Sequence, residues 1–279
     1  MKVYTPSVTW NISRKGARYR QASALVLSVP KSGRTWFRVM LSKYLSLHFG
    51  EQLDIGGYDE TSTVLPNILY SHEIWSHRMT SSVRRRLLGF YICPESALLD
   101  KPVMVVHRDP RDVLVSLYFH ARKRSRRLFQ GSIAELVRDK ERGAAAMVAV
   151  MNAWRERLSG KSDVLWIAYA ELHSRPEALL TAAVALLGLD PNPEFVHQAI
   201  DFSRFDNMRK LENQGGLGKG FLSPRNAADP ESFKVRSGVV GGYGKHLAAE
   251  DLIYIDRVLQ DLDPFFGYSV SVERDSSPS

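Results

Sequence analysis

The sequence predicts an α/β fold: a central, mostly parallel sheet flanked by helices, containing one strand–turn–helix of the phosphate-binding kind. Three observations carry that prediction. Short apolar runs alternate with segments of helical spacing, the order expected of βα units. The runs are apolar enough to be buried on both faces, as strands of a parallel sheet are. A turn containing Lys31, Ser32 and Gly33 separates the first run from a helical pattern. The 279 residues, 44% hydrophobic and 24% charged, can bury a large core and exclude a fibrous, disordered or disulfide-stapled chain. One domain over 1–279 is expected, with 1–22 as an N-terminal extension and 273–279 as a frayed polar tail.

Taken in order, the first strand is Ala24 to Val29. Trp36, Phe37, Met40, Leu41, Tyr44 and Leu45 then recur at helical spacing, so Pro30 to Thr35 is a strand-to-helix turn. Ile68 to Ser71, Val103 to His107 and Val164 to Tyr169 are the further strands. After the third, Asp109-Pro110-Arg111-Asp112 combines a capping residue, a proline suited to the first helical position and an acid three residues past the cap. A helix is expected from there to about Arg122. Ser174-Arg175-Pro176-Glu177 marks another helix start, closed by Gly188, and Glu250 to Leu262 has helical spacing. The Gly-, Pro- and Asn-rich stretch from Gln214 to Pro230 reads as a long loop.

Thirty-eight Lys and Arg against 30 Asp and Glu leave a formal net charge of +8, which favours anionic partners: phosphates, sulfates, acidic glycans, nucleic acid or anionic lipid. Cys93 is the sole cysteine, which excludes an intramolecular disulfide and a Cys-rich zinc site and fits a reducing compartment. The N-terminus lacks an uninterrupted apolar stretch before a small-residue cleavage site, and no run of about 18 apolar residues occurs. A cytoplasmic protein that spans no membrane is expected. Asn11-Ile12-Ser13 matches a glycosylation sequon, but that pattern is common by chance and needs a secretory route.

Pro30 to Trp36 follows a buried strand and opens a helix, where free backbone N–H groups and the helix dipole together attract an anion. Gly33 lets the backbone approach closely, Lys31 adds charge, and Ser32 and Thr35 add hydroxyl donors. A nucleotide phosphate is the natural occupant. No Gly-Lys pair follows Gly33, so the magnesium-triphosphate arrangement of GxxxxGK[ST] enzymes is unsupported. Taken alone, Lys-Ser-Gly reads equally as a tight turn with a solvated lysine.

VPKSGRTW resembles the 5′-phosphosulfate loop, PKSGTTW, of the sulfotransferases that use 3′-phosphoadenosine 5′-phosphosulfate (PAPS), with Arg34 in place of a threonine. VVHRDPRDVLVSLYFH resembles the same family's 3′-phosphate motif, and places Arg108 and Ser116 on the two 3′-phosphate ligands. A guanidinium at a strand mouth suits a dianion, although Arg108-Asp109 alone reads as well as a strand-end ion pair. FKVRSGVVGGY resembles the RKGxxGDW segment, putting Arg236, Ser237 and Gly238 at the 3′-phosphate clamp, with Ser237 where lysine is common and Gly242-Tyr243 in place of Asp-Trp. The three blocks, in order, run from Leu27 to Tyr243 and make the resemblance specific. It implies a P-loop-like sulfotransferase fold, PAPS as donor and 3′-phosphoadenosine 5′-phosphate (PAP) as product.

The resemblance also assigns Trp36 a stacking role against adenine, with Phe205 as the opposing aromatic and Ser203 and Tyr169 as polar neighbours. From the residues alone, Phe205 and Tyr169 read equally as core aromatics. Sulfuryl transfer needs a base for the acceptor proton and positive charge at the leaving oxygen. His72, at the end of the second strand, takes the position of the family's histidine base, and Lys31 the second role; the lysine of the family's Lys-Thr-His segment is absent. His72 is expected to titrate near 6.5. Glu73 and His77 are the reserve bases. No metal motif is present, so none is expected to be required. The acceptor would be a hydroxyl or amine, tilted toward a carbohydrate or acidic glycoconjugate, with its pocket in Gly50 to Pro66 and Gln214 to Pro230. The basic run His120 to Arg127, with Arg84 to Arg86, reads as a solvated helix end or as an electropositive rim for an acidic acceptor; a nucleic-acid surface would need interleaved aromatics or a recognised module, neither of which is present, so no nucleic-acid partner is expected. A P-loop kinase and a non-catalytic nucleotide-binding protein are the rival functions. The dimer segment of many animal relatives is not recognisable in Lys245 to Asp251.

Overall fold

A computed structural model describes residues 6–52, 64–123, 129–214, 222, 233–235 and 238–268. Its first half comprises α1 (Val8–Ile12), α2 (Arg14–Gln21), β1 (Ala24–Ser28), α3 (Arg34–Phe49), β2 (Ile68–Ser71), α4 (Glu73–Arg78), α5 (Val83–Leu87), α6 (Glu95–Leu99), β3 (Val103–His107) and α7 (Pro110–Lys123). The second half comprises α8 (Ile133–Arg138), α9 (Ala144–Arg157), β4 (Val164–Ala168), α10 (Tyr169–Ser174), α11 (Pro176–Leu186), α12 (Pro193–Phe202), α13 (Phe205–Asn213) and α14 (Ala249–Leu259).

The strands form a parallel sheet in the order β2-β1-β3-β4. Val26 pairs with Tyr70 on one side and Met104 on the other. The chain leaves β1 for β2 and then crosses back to β3, so the order reverses at β1. In open parallel sheets, that switch point opens a crevice at the carboxyl ends of the strands, where ligands bind.

Side chains alternate across the sheet and seed a core on each face. Leu25, Leu27, Val103 and Val105 pack with Met147, Val150 and Trp154 of α9. Val26, Met104, Val106 and Ile167 pack with Phe37, Met40 and Leu41 of α3 and Leu180 and Val184 of α11. Burying Phe37, Met40 and Leu41 contributes about 1.5–3 kcal/mol of transfer free energy each, which fixes α3, and hence its N-terminus, against the sheet.

The expected strands form with small shifts at their ends. Tyr169 begins α10 instead of ending β4, and α11 starts within the expected segment, with Arg175 as its cap and Pro176 at the first helical position. β1 and β3 are buried throughout, but β2 and β4 are only partly so, because they are the sheet edges. Residues 8–21, expected as an extension, fold into α1 and α2, and Trp10 Nε1 donates to the Ile92 carbonyl at 2.8 Å. The 273–279 tail, and the 214–230 loop except Gln214 and Leu222, lie outside the described residues. Among the described residues, no helix is long and apolar enough to cross a membrane.

Candidate active site

A cavity of about 610 Å³ opens at the switch point, lined by residues of the β1–α3 turn, the ends of β2, β3 and β4, and the segment around Gly238. Its volume lies within the usual range of ligand pockets, roughly 300–1,000 Å³. Lys31, Gly33, Arg34, Thr35, Trp36, His72, Arg108, Ser116, Tyr169, Ser203, Phe205 and Gly238 all line it, which brings together residues more than two hundred positions apart in the chain. Ser32 is buried beneath the turn. Arg236 and Ser237 lie outside the described residues.

The turn takes its shape from two left-handed residues, Lys31 at φ 71° and Gly33 at φ 97°. A Cβ on Gly33 would sit 2.4 Å from the Tyr169 ring, so only glycine permits both the backbone conformation and the close approach of α10. Phe37 N–H donates to the Gly33 carbonyl at 3.1 Å as α3 begins, and Gly33 supplies no side-chain cap. The first amides of a helix have no partner within it, and here the residues that carry them, Gly33 to Trp36, line the cavity at the positive end of the helix dipole. Ser32 Oγ and Trp36 Nε1 are also buried without a hydrogen-bond partner.

Arg108 follows the end of β3, just before α7. Its guanidinium stacks 4.1 Å over the Tyr169 ring, pairs with Asp112 at 3.3 Å and donates to the Val239 carbonyl at 2.8 Å. Asp112 in turn accepts from Gly241 N–H at 2.9 Å. The Arg108–Asp112 pair therefore ties the segment containing Gly238 to α7, and Nε of Arg108 remains buried without a partner. Gly238, at φ 63°, lies against Phe205, where a Cβ would meet the ring at 2.7 Å. Trp36 packs edge-on to Tyr169 and His173, with centroids 6.0 and 4.6 Å away.

His72 stands between β2 and α4. Its Nδ1 is 2.7 Å from the Ser28 carbonyl oxygen, which can only accept, so that nitrogen carries the proton and Nε2 keeps its lone pair. Burial pushes His72 well below its ordinary value, and the nearby Arg34 and Lys31 charges add to the effect. This corrects the expectation of titration near 6.5: burial and the two cations hold the ring neutral against the opposing pull of the Ser28 carbonyl, which fixes the tautomer. The reserve bases are engaged elsewhere. Glu73 is fully buried and accepts from Cys93 N–H (2.6 Å), Trp154 Nε1 (2.8 Å) and Arg157 Nη1 (3.0 Å). His77 Nδ1 lies 3.0 Å from the Phe90 carbonyl oxygen, and His77 does not line the cavity.

Trp75, Ser76, Met79, His120, Arg142 and His173 line the cavity without having been expected there. No local pattern marks them; only the fold brings them to the opening. In the basic clusters, Arg86 donates to the Thr80 carbonyl at 2.8 Å and Arg122 to the Gln130 carbonyl at 2.9 Å. Residues 124–127, and the proposed acceptor loops from 53 to 63 and 215 to 230 except Leu222, lie outside the described residues.

The sequence matches the sulfotransferase domain family over residues 21–264, and the chain belongs to that family. Similar proteins include cytosolic sulfotransferase 7 of Arabidopsis thaliana, 24% identical, with 89% of this chain and 81% of the relative covered. Amine sulfotransferase of Oryctolagus cuniculus is 23% identical, with 87% and 81% covered, and sulfotransferase 2B1 of Homo sapiens is 22% identical, with 93% and 72% covered. Among solved structures, a mouse sulfotransferase complexed with PAP superposes with a TM-score of 0.60 at 16% identity, covering 87% of this chain and 84% of that one. Retinol dehydratase in a complex with retinol and PAP gives 0.56 at 15% identity, covering 85% and 80%. At these identities the superpositions establish a shared fold, the α/β sulfotransferase architecture expected from the sequence.

Proposed function

We propose that this chain is a sulfotransferase that moves a sulfuryl group from PAPS to a hydroxyl or amine of an acceptor. The observation that carries the reading is the convergence of the β1–α3 turn, Arg108 and His72 on one cavity. The fit is also chemical: buried donors without partners cost free energy, and Trp36 Nε1 and Arg108 Nε, on two residues that line the cavity, would each be satisfied by an anionic, heteroatom-rich ligand. That family relatives are solved with PAP supports the same choice.

PAPS, when bound, supplies an activated sulfuryl group. Lys31, Ser32, Gly33, Arg34, Thr35 and Trp36 contribute the 5′ end of its site through the turn and its amides. Arg108, Ser116, Arg236, Ser237 and Gly238 hold the 3′-phosphate, while Trp36 and Phe205 offer ring faces and Ser203 and Tyr169 polar contacts. His72, neutral and with Nε2 open, takes the proton from the acceptor oxygen or nitrogen in an in-line transfer. Lys31 meets the negative charge that develops at the leaving oxygen. Catalysis on this account is positioning and electrostatics, and no metal enters it. The +8 charge supports a carbohydrate or acidic glycoconjugate as acceptor. A cytoplasmic location is supported by the free, buried Cys93 and by relatives named as cytosolic. The shared sheet supports reading 1–279 as a single domain.

The test is transfer of radiolabel from sulfur-labelled PAPS to a panel of phenols, amines and sugars. The reading predicts labelled product that Arg108→Ala and His72→Ala each diminish. Absence of product with every acceptor, together with no affinity for PAP, would refute it.

A further inference from the structure

Arg34 stands where the phosphosulfate loop of related enzymes has threonine, and its side chain does something a threonine could not. Its guanidinium lines the cavity beside His72, with Nη1 buried and without a hydrogen-bond partner. The charge that acts on it is repulsive: among the described residues Arg38 is the cation that pushes on it, and no carboxylate is among its electrostatic neighbours. Burial, reinforced by Arg38, lowers Arg34 to about 10, the mark of a cation lacking its counter-ion.

The direction of the side chain follows from the helix. Arg34 and Arg38 are one turn apart and share a face of α3. Arg38 stacks 4.6 Å over the Tyr70 ring on β2, and Tyr70 and Tyr19 are the other groups that act on Arg34. Trp36 points the opposite way, to Tyr169 and His173 after β4. The sheet order places β2 on one side of β1 and β3 and β4 on the other. Arg108, Ser116, Tyr169, Ser203 and Phe205 thus gather on the β3–β4 side, while Arg34 and His72 share the β2 side.

We infer that Arg34 is a specificity residue for the acceptor, pairing with a carboxylate, sulfate or phosphate that the acceptor carries close to the hydroxyl or amine presented to His72. A buried, uncompensated cation is costly, and a bound anion removes the cost, so the site rewards an acidic acceptor over its neutral counterpart. The guanidinium's planar donors suit a two-oxygen anion. The inference rests on the sulfotransferase reading and adds the acceptor's charge to it.

The test compares matched acid and methyl-ester acceptors on three scaffolds, para-hydroxybenzoate, N-acetyltyrosine and methyl glucuronoside, with wild type, Arg34→Thr and Arg34→Lys. PAP binding by wild type is measured first; failure there removes the sulfotransferase reading itself. With PAP bound, wild type should prefer the acid in kcat/KM by at least about tenfold on one or more scaffolds, as expected of a charge-assisted pair. Arg34→Thr should abolish the preference by lowering kcat/KM for the acid at least tenfold more than for the ester, whatever it does to both in common, and Arg34→Lys should restore part of it. Equal use of acid and ester by wild type, no use of either on every scaffold despite PAP binding, or a preference that survives in Arg34→Thr would overturn the inference.

Discussion

Glu73 adjoins the candidate base and was itself a candidate, so replacing it separates a structural carboxylate from a catalytic one. The carboxylate is fully buried, takes hydrogen bonds from Trp154 Nε1 and Cys93 N–H, and pairs with Arg157 at 3.0 Å. Glu73→Ala leaves the Arg157 charge, 15% exposed, and two buried donors without their acceptor. Breaking a buried pair by removing one member costs about 3–5 kcal/mol. For a chain of this size that corresponds to a melting point lower by roughly 5–9 °C. Thermal and urea denaturation of wild type, Glu73→Ala and Glu73→Gln measure the loss, and kcat per folded molecule is measured below the transition. The reasoning predicts a large stability loss for Glu73→Ala, a smaller one for the isosteric Gln, and a kcat that stays within tenfold. A stability loss under about 1 kcal/mol accompanied by a hundredfold fall in kcat would refute it and make Glu73 the base.

Three further outcomes follow from the geometry. His72→Ala should lower kcat by about 10²–10⁴-fold, and because the folded ring is held well below 6.5, wild-type kcat/KM should stay flat down to pH 6.5 and fall only below it; an acid limb centred at 6.5 contradicts the neutral-base account. His107, lowered by burial from 6.5 to about 4, is protonated sooner in the unfolded chain, so its contribution is complete above pH 6.5 and is lost as pH falls toward 4, by about 3 kcal/mol. Denaturation curves across that window should flatten in His107→Leu; an unchanged pH slope would count against the assignment. Gly33→Ala must place a Cβ 2.4 Å from the Tyr169 ring at φ 97°, a strain of about 1–3 kcal/mol before any ring movement, and calorimetry should show PAP binding weakened at least tenfold.

What could be read from the sequence was whatever depends on neighbours along the chain. The apolar runs of β1 and β3, the Asp109-Pro110 helix start and the Lys31-Ser32-Gly33 turn all announce themselves within a few residues. The gathering of Arg108, Ser116, Tyr169 and Phe205 about Trp36 followed only from the resemblance, since their separations carry no local pattern. What escaped depends on contacts between distant segments. The Ser28 carbonyl that sets the His72 tautomer lies 44 residues away, and the partners that occupy Glu73 are at positions 93, 154 and 157. The partial exposure of β4 reflects its place at the sheet edge, which follows from strand order and not from the run Val164 to Ala168 itself. Arg142 and His173 carry no signal at all until α9 and α10 bring their surroundings to the cavity.

The central claim, that the cavity is built for a 3′-phosphorylated adenosine nucleotide, is tested most directly by calorimetric titration of wild type and Arg108→Ala with PAP and with magnesium-ATP. Arg108 stacks over Tyr169 and anchors the Gly238 segment through Val239, so its loss should cost PAP the charge-assisted contact, about 1.5–3 kcal/mol or roughly 10- to 150-fold in affinity. The account predicts saturable binding of PAP in preference to magnesium-ATP, weakened to that extent in the variant. Preference for magnesium-ATP, or PAP affinity that Arg108→Ala leaves intact, would contradict it.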